Sequence, residues 1–130
     1  MKKLFVCLYI SIFIISVVGQ QKRVTEVPAT CEVSQRILDS IHQLAGDSNI
    51  IIISRLGNGE SVPFLHKIRL NIAREYLKTA WKRNSATIIL TQGESVAGLG
   101  RLEFYVNGNL LDIILAKKKK NIPTFCFGVE

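Results

Sequence analysis

The sequence contains few of the residues from which metal and redox sites are built, with three cysteines and two histidines among 130 residues. No C-x-x-C or H-x-x-x-H spacing occurs, so no zinc or thiol-redox motif is predicted. A nucleophile elbow, a dinucleotide-binding glycine pattern, a P-loop and a paired Asp/Glu motif are also missing. We therefore expect a protein that needs no cofactor or metal and is not an enzyme.

Long apolar runs are scarce as well. The run at residues 4–18 follows Lys2 and Lys3 and leads to Gly19. It is shorter than the roughly 20 residues of a typical membrane-spanning helix, and it has the layout of a secretory signal peptide. We predict a signal peptide at residues 1–19, with an uncleaved anchor as the alternative. Residues 20–30 are then a flexible lead-in to a single domain at 31–130, which is periplasmic or secreted.

Acidic residues are outnumbered by basic ones, which gives a formal charge of +7. Removal of the signal peptide with its two lysines leaves +5, a charge that favours anionic partners. Export argues against nucleic acid and leaves anionic lipid or an acidic wall polymer. The most basic stretch has two interpretations. It is either a solvated strand end that protects a sheet edge or a contact with a membrane surface or an envelope protein, made by Lys117, Lys118, Lys119 and Lys120.

Two cysteines remain in the mature chain, Cys31 near its start and Cys126 near its end. In an oxidising compartment we expect them to form one disulfide that closes a loop of nearly the whole domain. Two separate buried thiols are the alternative.

Apolar periodicity predicts two helices and four strands. The first helix follows a cap at Thr30 and ends at Gly46, and the second follows a cap at Ser61 and runs to about Arg83. Strands buried on both faces are predicted at 50–53 and 86–91, so that strand, helix and strand form a βαβ unit. A hairpin with strands 101–106 and 110–115 follows. The fold class is α/β, an α+β sandwich with two helices packed on a mixed sheet of about four strands.

The hairpin turn is placed at Asn107-Gly108, the strongest short turn signal in the chain. A regular two-residue turn sets Phe104 opposite Leu111 and Glu103 opposite Asp112. Alternation then puts six residues on the core face of the hairpin: Leu102, Phe104, Val106, Leu111, Ile113 and Leu115.

Arg69 lies in an unexpected place on the second helix. On a helical wheel it falls inside the apolar arc, near Leu65 and Ala73. An unpaired guanidinium is costly to bury, so Arg69 must either pair with a carboxylate or face a pocket that receives an anion. Glu60 and Glu94 are the candidate partners. His66, one turn away on the same arc, is interpreted as a packed core residue rather than a catalytic base.

Four segments, taken in order, resemble the OmpA-like domain, a peptidoglycan-binding module of bacterial envelopes. They are IIIISRLGNG with Gly57, the helix LHKIRLNIAREYL with Arg69, the Gly93-Glu94-Ser95 segment, and the strand Arg101-Leu102-Glu103-Phe104. Together they cover about residues 32–106. The chain lacks the strand that precedes the family's first helix, and we suggest that strand 110–115 fills that place.

The resemblance implies a site that binds the two ends of diaminopimelate in the wall peptide. Arg69 stands at the family's arginine position, whereas Ser54 stands where the family has an aspartate. We therefore expect an exported module that binds peptidoglycan or a related carboxylate ligand through Arg69, Ser54, Glu60 and Asn58. The alternative is a structural or interaction domain that has lost this pocket and contacts a partner protein or an anionic envelope surface.

Overall fold

The computed structural model describes residues 26–126. The predicted signal peptide and most of the lead-in lie outside these residues, as do residues 127–130. Two α-helices and four strands follow one another, with a short 3₁₀ turn at Ser85–Thr87 before the second strand. In chain order they are α1 (Cys31–Ala45), β1 (Ile50–Arg55), α2 (Phe64–Trp81), β2 (Ile88–Gln92), β3 (Arg101–Val106) and β4 (Asn109–Leu115).

The strands form one mixed sheet in the order β2-β1-β3-β4. β1 runs parallel to β2 and antiparallel to β3, and β4 returns antiparallel beside β3. Both helices pack on this sheet, and the predicted α+β class, the βαβ unit and the hairpin are confirmed. The core between the layers includes Leu38, Ile41, Ile50, Ile52, Leu77, Leu102, Phe104 and Ile114, each at most 1% exposed.

The helix boundaries follow local chemistry. The Thr30 hydroxyl accepts a hydrogen bond from the Val33 amide, and Gly46 ends α1 with a positive φ, as predicted. α2 begins directly after Pro63 without a side-chain cap, so the predicted cap at Ser61 is wrong. Backbone carbonyls satisfy the first amides of the helix instead, since the Leu65 amide donates to the Val62 carbonyl and the His66 amide donates to the Pro63 carbonyl. The helix ends at Trp81, two residues earlier than predicted.

Within residues 26–126, helices cover one face of the sheet and leave the other face open. Along β1, Ile50 and Ile52 are buried under the helices, whereas Ile51 and Ile53 are half-buried on the other face. β2 lies at the edge, and Ile89 is 43% exposed. The prediction that both strands are buried on both faces is therefore wrong. A short apolar run cannot reveal which of its faces is covered.

A β-bulge alters the predicted hairpin register. The turn itself lies at Asn107-Gly108, but the pairing shifts between Phe104 and Tyr105, so Phe104 pairs with Asp112 rather than Leu111. Because one extra residue reverses the faces beyond it, Ile114 occupies the core and Ile113 lies on the open face opposite Glu103. The expected Glu103–Asp112 pair does not form.

Candidate functional site

Arg69 and Glu60 form a buried ion pair between α2 and the loop that precedes it. The Arg69 Nη1 and Nη2 atoms donate to the two Glu60 carboxylate oxygens at 2.7 and 2.6 Å. The side chains are 0% and 1% exposed. This two-bond geometry is the one that best satisfies a guanidinium and a carboxylate together. Of the two predicted partners, the structure thus selects Glu60.

The same ion pair fixes the backbone of the chain after β4. The Arg69 Nε and Nη2 atoms donate to the Lys120 carbonyl at 3.0 and 2.8 Å, and the Lys119 amide donates to Glu60 at 2.8 Å. Residues 117–120, which we call the lysine turn, are closed further by a bond from the Lys120 amide to the Lys117 carbonyl. All four lysines are exposed. A buried pair of charges therefore holds a turn of four exposed cations.

Two glycines make room for this arrangement. A Cβ atom on Gly100 would collide with the Arg69 guanidinium and the Glu60 carboxylate, and one on Gly57 would collide with the Gly100 backbone. The Gly57 amide also donates to Glu60 at 3.0 Å. Glycine is required here because two loops and an ion pair approach one another too closely for a side chain.

The electrostatics of Glu60 follow from its partners. The hydrogen bonds from Arg69 lower the pKa of the Glu60 carboxyl to about 2, helped by the Gly57 and Lys119 amides and opposed by burial. The carboxylate is therefore ionised throughout the physiological range, and the pair stays charged. An external anion would have to displace Glu60 to reach Arg69.

The other predicted ligand-binding residues are not gathered into an open pocket. Ser54 is fully buried, and its hydroxyl lies 3.1 Å from Nδ1 of His66. Burial lowers the pKa of His66, with the charge of Arg69 acting in the same direction. Asn58 is exposed, and its backbone N–H donates to the Gly98 carbonyl. Since Ser54 has no access to solvent, the Ser54–His66 pair is a core hydrogen bond, in agreement with the interpretation of His66 as a packed residue.

The ends of the described chain are tied down close to this site. The Glu26 carboxylate accepts a hydrogen bond from the Leu99 amide at 2.6 Å and forms an ion pair with Arg101 at 3.0 Å. The last part of the predicted lead-in is therefore anchored. The disulfide between Cys31 and Cys126 is confirmed, with Cα atoms 5.3 Å apart. It joins the C-terminal segment to the start of α1.

A second polar cluster, which the sequence did not indicate, lies at the opposite end of the sheet. Arg83 donates to the carbonyls of Gly46 and Ser48, which follow the end of α1. His42 is half-buried and stacks on Trp81 with ring centroids 4.7 Å apart. His42, Gly46, Trp81 and Arg83 are among the residues that line a cleft of about 370 Å³. The guanidinium satisfies carbonyls left over at a helix C-terminus and thereby joins the ends of the two helices.

Within residues 26–126, no cluster of three or more His, Cys, Asp or Glu side chains has the arrangement of a metal site. Neither helix in this part of the chain is both long and apolar enough to span a bilayer.

Comparison of the chain with models of protein families, with curated proteins and with solved structures finds no match. The resemblance to the OmpA-like domain thus depends on the quoted motifs and stays a hypothesis.

Proposed function

We propose that this chain is a non-enzymatic interaction module of the cell envelope whose lysine turn contacts an anionic surface. This is the second of the two functions expected from the sequence. It is favoured because Arg69, which a carboxylate-binding pocket would have to present, is enclosed with Glu60 and is 0% exposed. The surface available to an anion is the turn that the ion pair supports.

The charge distribution carries the proposal. Residues 26–126 contain 13 lysines and arginines and 9 aspartates and glutamates, a net charge of +4. The lysine turn supplies four positive charges, so the remainder of this part of the chain is balanced. None of the four lysines forms a salt bridge with a carboxylate among the described residues. A concentrated and unpaired charge of this kind attracts anionic surfaces over roughly a Debye length.

The backbone contacts of the turn add to this argument. The Lys119 amide and the Lys120 carbonyl are bound to buried charged groups. A polybasic segment that is already ordered loses less conformational entropy on binding than a free tail would. A signal peptide at residues 1–19 would deliver the domain to a compartment in which anionic lipids and wall polymers are the accessible anions.

Binding to a soluble polyanion, such as polyphosphate, tests the proposal. Removing two lysine charges with Lys117→Gln/Lys118→Gln is expected to weaken binding about 25-fold at low ionic strength, at about 1 kcal/mol for each contact. The matched control is Arg36→Gln/Lys82→Gln, which removes two exposed positive charges elsewhere and should have much less effect. Equal losses for the two variants would show that net charge alone matters and would overturn the proposal.

A separate titration distinguishes the proposal from the peptidoglycan hypothesis for Arg69. A calorimetric titration of the native protein with diaminopimelate-containing muropeptides should give no heat if Glu60 keeps its place. Heat that disappears in Arg69→Ala, in a variant that remains folded by circular dichroism, would restore the carboxylate-binding function. Mass spectrometry of the exported protein checks the compartment, since cleavage after Gly19 leaves Gln20 at the N-terminus.

A further inference from the structure

An exposed aromatic side chain lies at the same end of the domain as the lysine turn. Phe64, the first residue of α2, is 58% exposed. Lys67 lies three residues further along the helix and is also exposed. Exposed single apolar residues are common, so the meaning of Phe64 depends on its neighbours.

Three contacts bring the lysine turn to the end of the domain at which α2 begins. A Cβ atom on Gly59 would meet the end of the Lys118 side chain at 2.7 Å. Arg69, which binds the Lys120 carbonyl, lies five residues after Phe64, a rise of about 7.5 Å along the helix. The Ala116 amide, just before the turn, donates to the Gly100 carbonyl next to the ion pair. Phe64 therefore projects from the end of the domain that carries the cations.

The acidic groups at this end do not cancel the charge. Glu60 forms an ion pair with Arg69, and Glu26 forms one with Arg101. Glu94 is exposed in the loop after β2, where its carbonyl accepts from Arg55. Neither Lys67 nor any lysine of the turn forms a salt bridge with a carboxylate among residues 26–126.

Lysines beside an exposed phenyl ring are the combination that anionic membranes bind. Ammonium groups interact with anionic headgroups, at about a fivefold gain in affinity for each lysine. A phenyl ring adds binding free energy when it leaves water for the boundary between headgroups and acyl chains. A hydrated acidic polymer would bind the lysines but would offer no apolar layer in which the ring could be buried. We propose that this end of the domain docks on an anionic lipid layer, with the lysine turn among the headgroups and Phe64 inserted between them. This inference rests on the proposed function and names its partner.

Vesicle binding by the purified full chain, with its N-terminus established by mass spectrometry, tests the inference. Three probes are compared: vesicles that contain phosphatidylglycerol, vesicles of phosphatidylcholine alone, and soluble polyphosphate. Phe64→Ala is expected to weaken binding to the anionic vesicles roughly tenfold and to leave polyphosphate binding unchanged. Phe64→Trp should bind these vesicles at least as tightly as the native chain, because tryptophan is favoured at membrane interfaces.

Phe125→Ala is the matched control. It removes the same side chain from a position that is 90% exposed and lies near Ile72 and Tyr76, further along α2. It should leave vesicle binding unchanged.

The outcomes separate the inference from the function on which it rests. If Lys117→Gln/Lys118→Gln weakens binding to both anionic probes but Phe64→Ala changes neither, the anionic contact stands and the lipid assignment is wrong. Equal losses for Phe64→Ala on vesicles and on polyphosphate would also overturn the lipid assignment. If the lysine variant binds every anionic probe as the native chain does, the proposed function itself fails.

Discussion

Replacement of Glu60 by glutamine tests the energetic role of the buried ion pair. The variant keeps the shape of the side chain but leaves the Arg69 guanidinium, at 0% exposure, without a counter-charge. Removal of one partner from such a pair typically costs about 3 to 5 kcal/mol. The pKa of Glu60 gives an independent figure, since a depression from 4.5 to about 2 corresponds to about 3 kcal/mol of folding stability at pH 7.

The sign of the pH dependence follows from the direction of this shift. Because the pKa of Glu60 is lower in the folded state, its contribution is fully present above the unfolded value of 4.5 and is lost as the pH falls toward 2. The difference in unfolding free energy between the native chain and Glu60→Gln should therefore be about 3 kcal/mol or more at pH 7 and should shrink as the pH approaches 2.

Urea unfolding, monitored by circular dichroism over this pH range, measures the difference. Glu75→Gln is the matched control, because Glu75 forms surface ion pairs with Arg74 and Lys78 and its side chain is 51% exposed. The control should cost less than about 1 kcal/mol. A loss of similar size for Glu60→Gln at pH 7, or a loss that does not depend on pH, would refute the reasoning.

Three further predictions concern stability. Reduction of the Cys31–Cys126 disulfide, which joins residues 95 apart, should lower the unfolding free energy by about 4 to 5 kcal/mol in the loop-entropy model; unchanged urea midpoints with and without reductant would contradict this. Gly100→Ala should cost about 3 kcal/mol because its Cβ collides with the ion pair. Gly108→Ala has open space around the new Cβ but a positive φ of 78° and should cost about 1 kcal/mol; thermal melts that rank them otherwise would exclude the close packing. Arg83→Met should cost about 2 kcal/mol, since two carbonyls beyond α1 lose a charged donor, and a neutral result in urea unfolding would remove its role in joining the helices.

Much of the fold could be predicted because its signals are local. The α1 cap at Thr30, the stop at Gly46 and the Asn107-Gly108 turn each depend on residues within a few positions of one another. The bulge in β4 could not be predicted, because the apolar run of this strand fits either register and the extra residue has no side-chain signature. The open face of the sheet was missed because it depends on where both helices pack.

The candidate site was predicted only in part. The helical wheel identified Arg69 as a buried cation, and the list of partners contained Glu60, but the sequence alone did not decide between Glu60 and Glu94. Glu60 is the partner because it lies in a tight loop in which Gly59 has φ +75° and the Gly57 amide donates to the Glu60 carboxylate. The support of the lysine turn was not foreseen, because it uses the Lys119 amide and the Lys120 carbonyl, and backbone groups leave no pattern in a sequence.

Amide hydrogen exchange at Lys119, followed by NMR, tests the central claim that the buried ion pair holds the lysine turn. The Lys119 amide donates to Glu60, so we expect it to exchange at least about a hundredfold more slowly than in an unfolded chain. It should lose this protection in Glu60→Gln under conditions in which the variant is folded. A Lys119 amide that exchanges at the unprotected rate in the native chain would contradict the account.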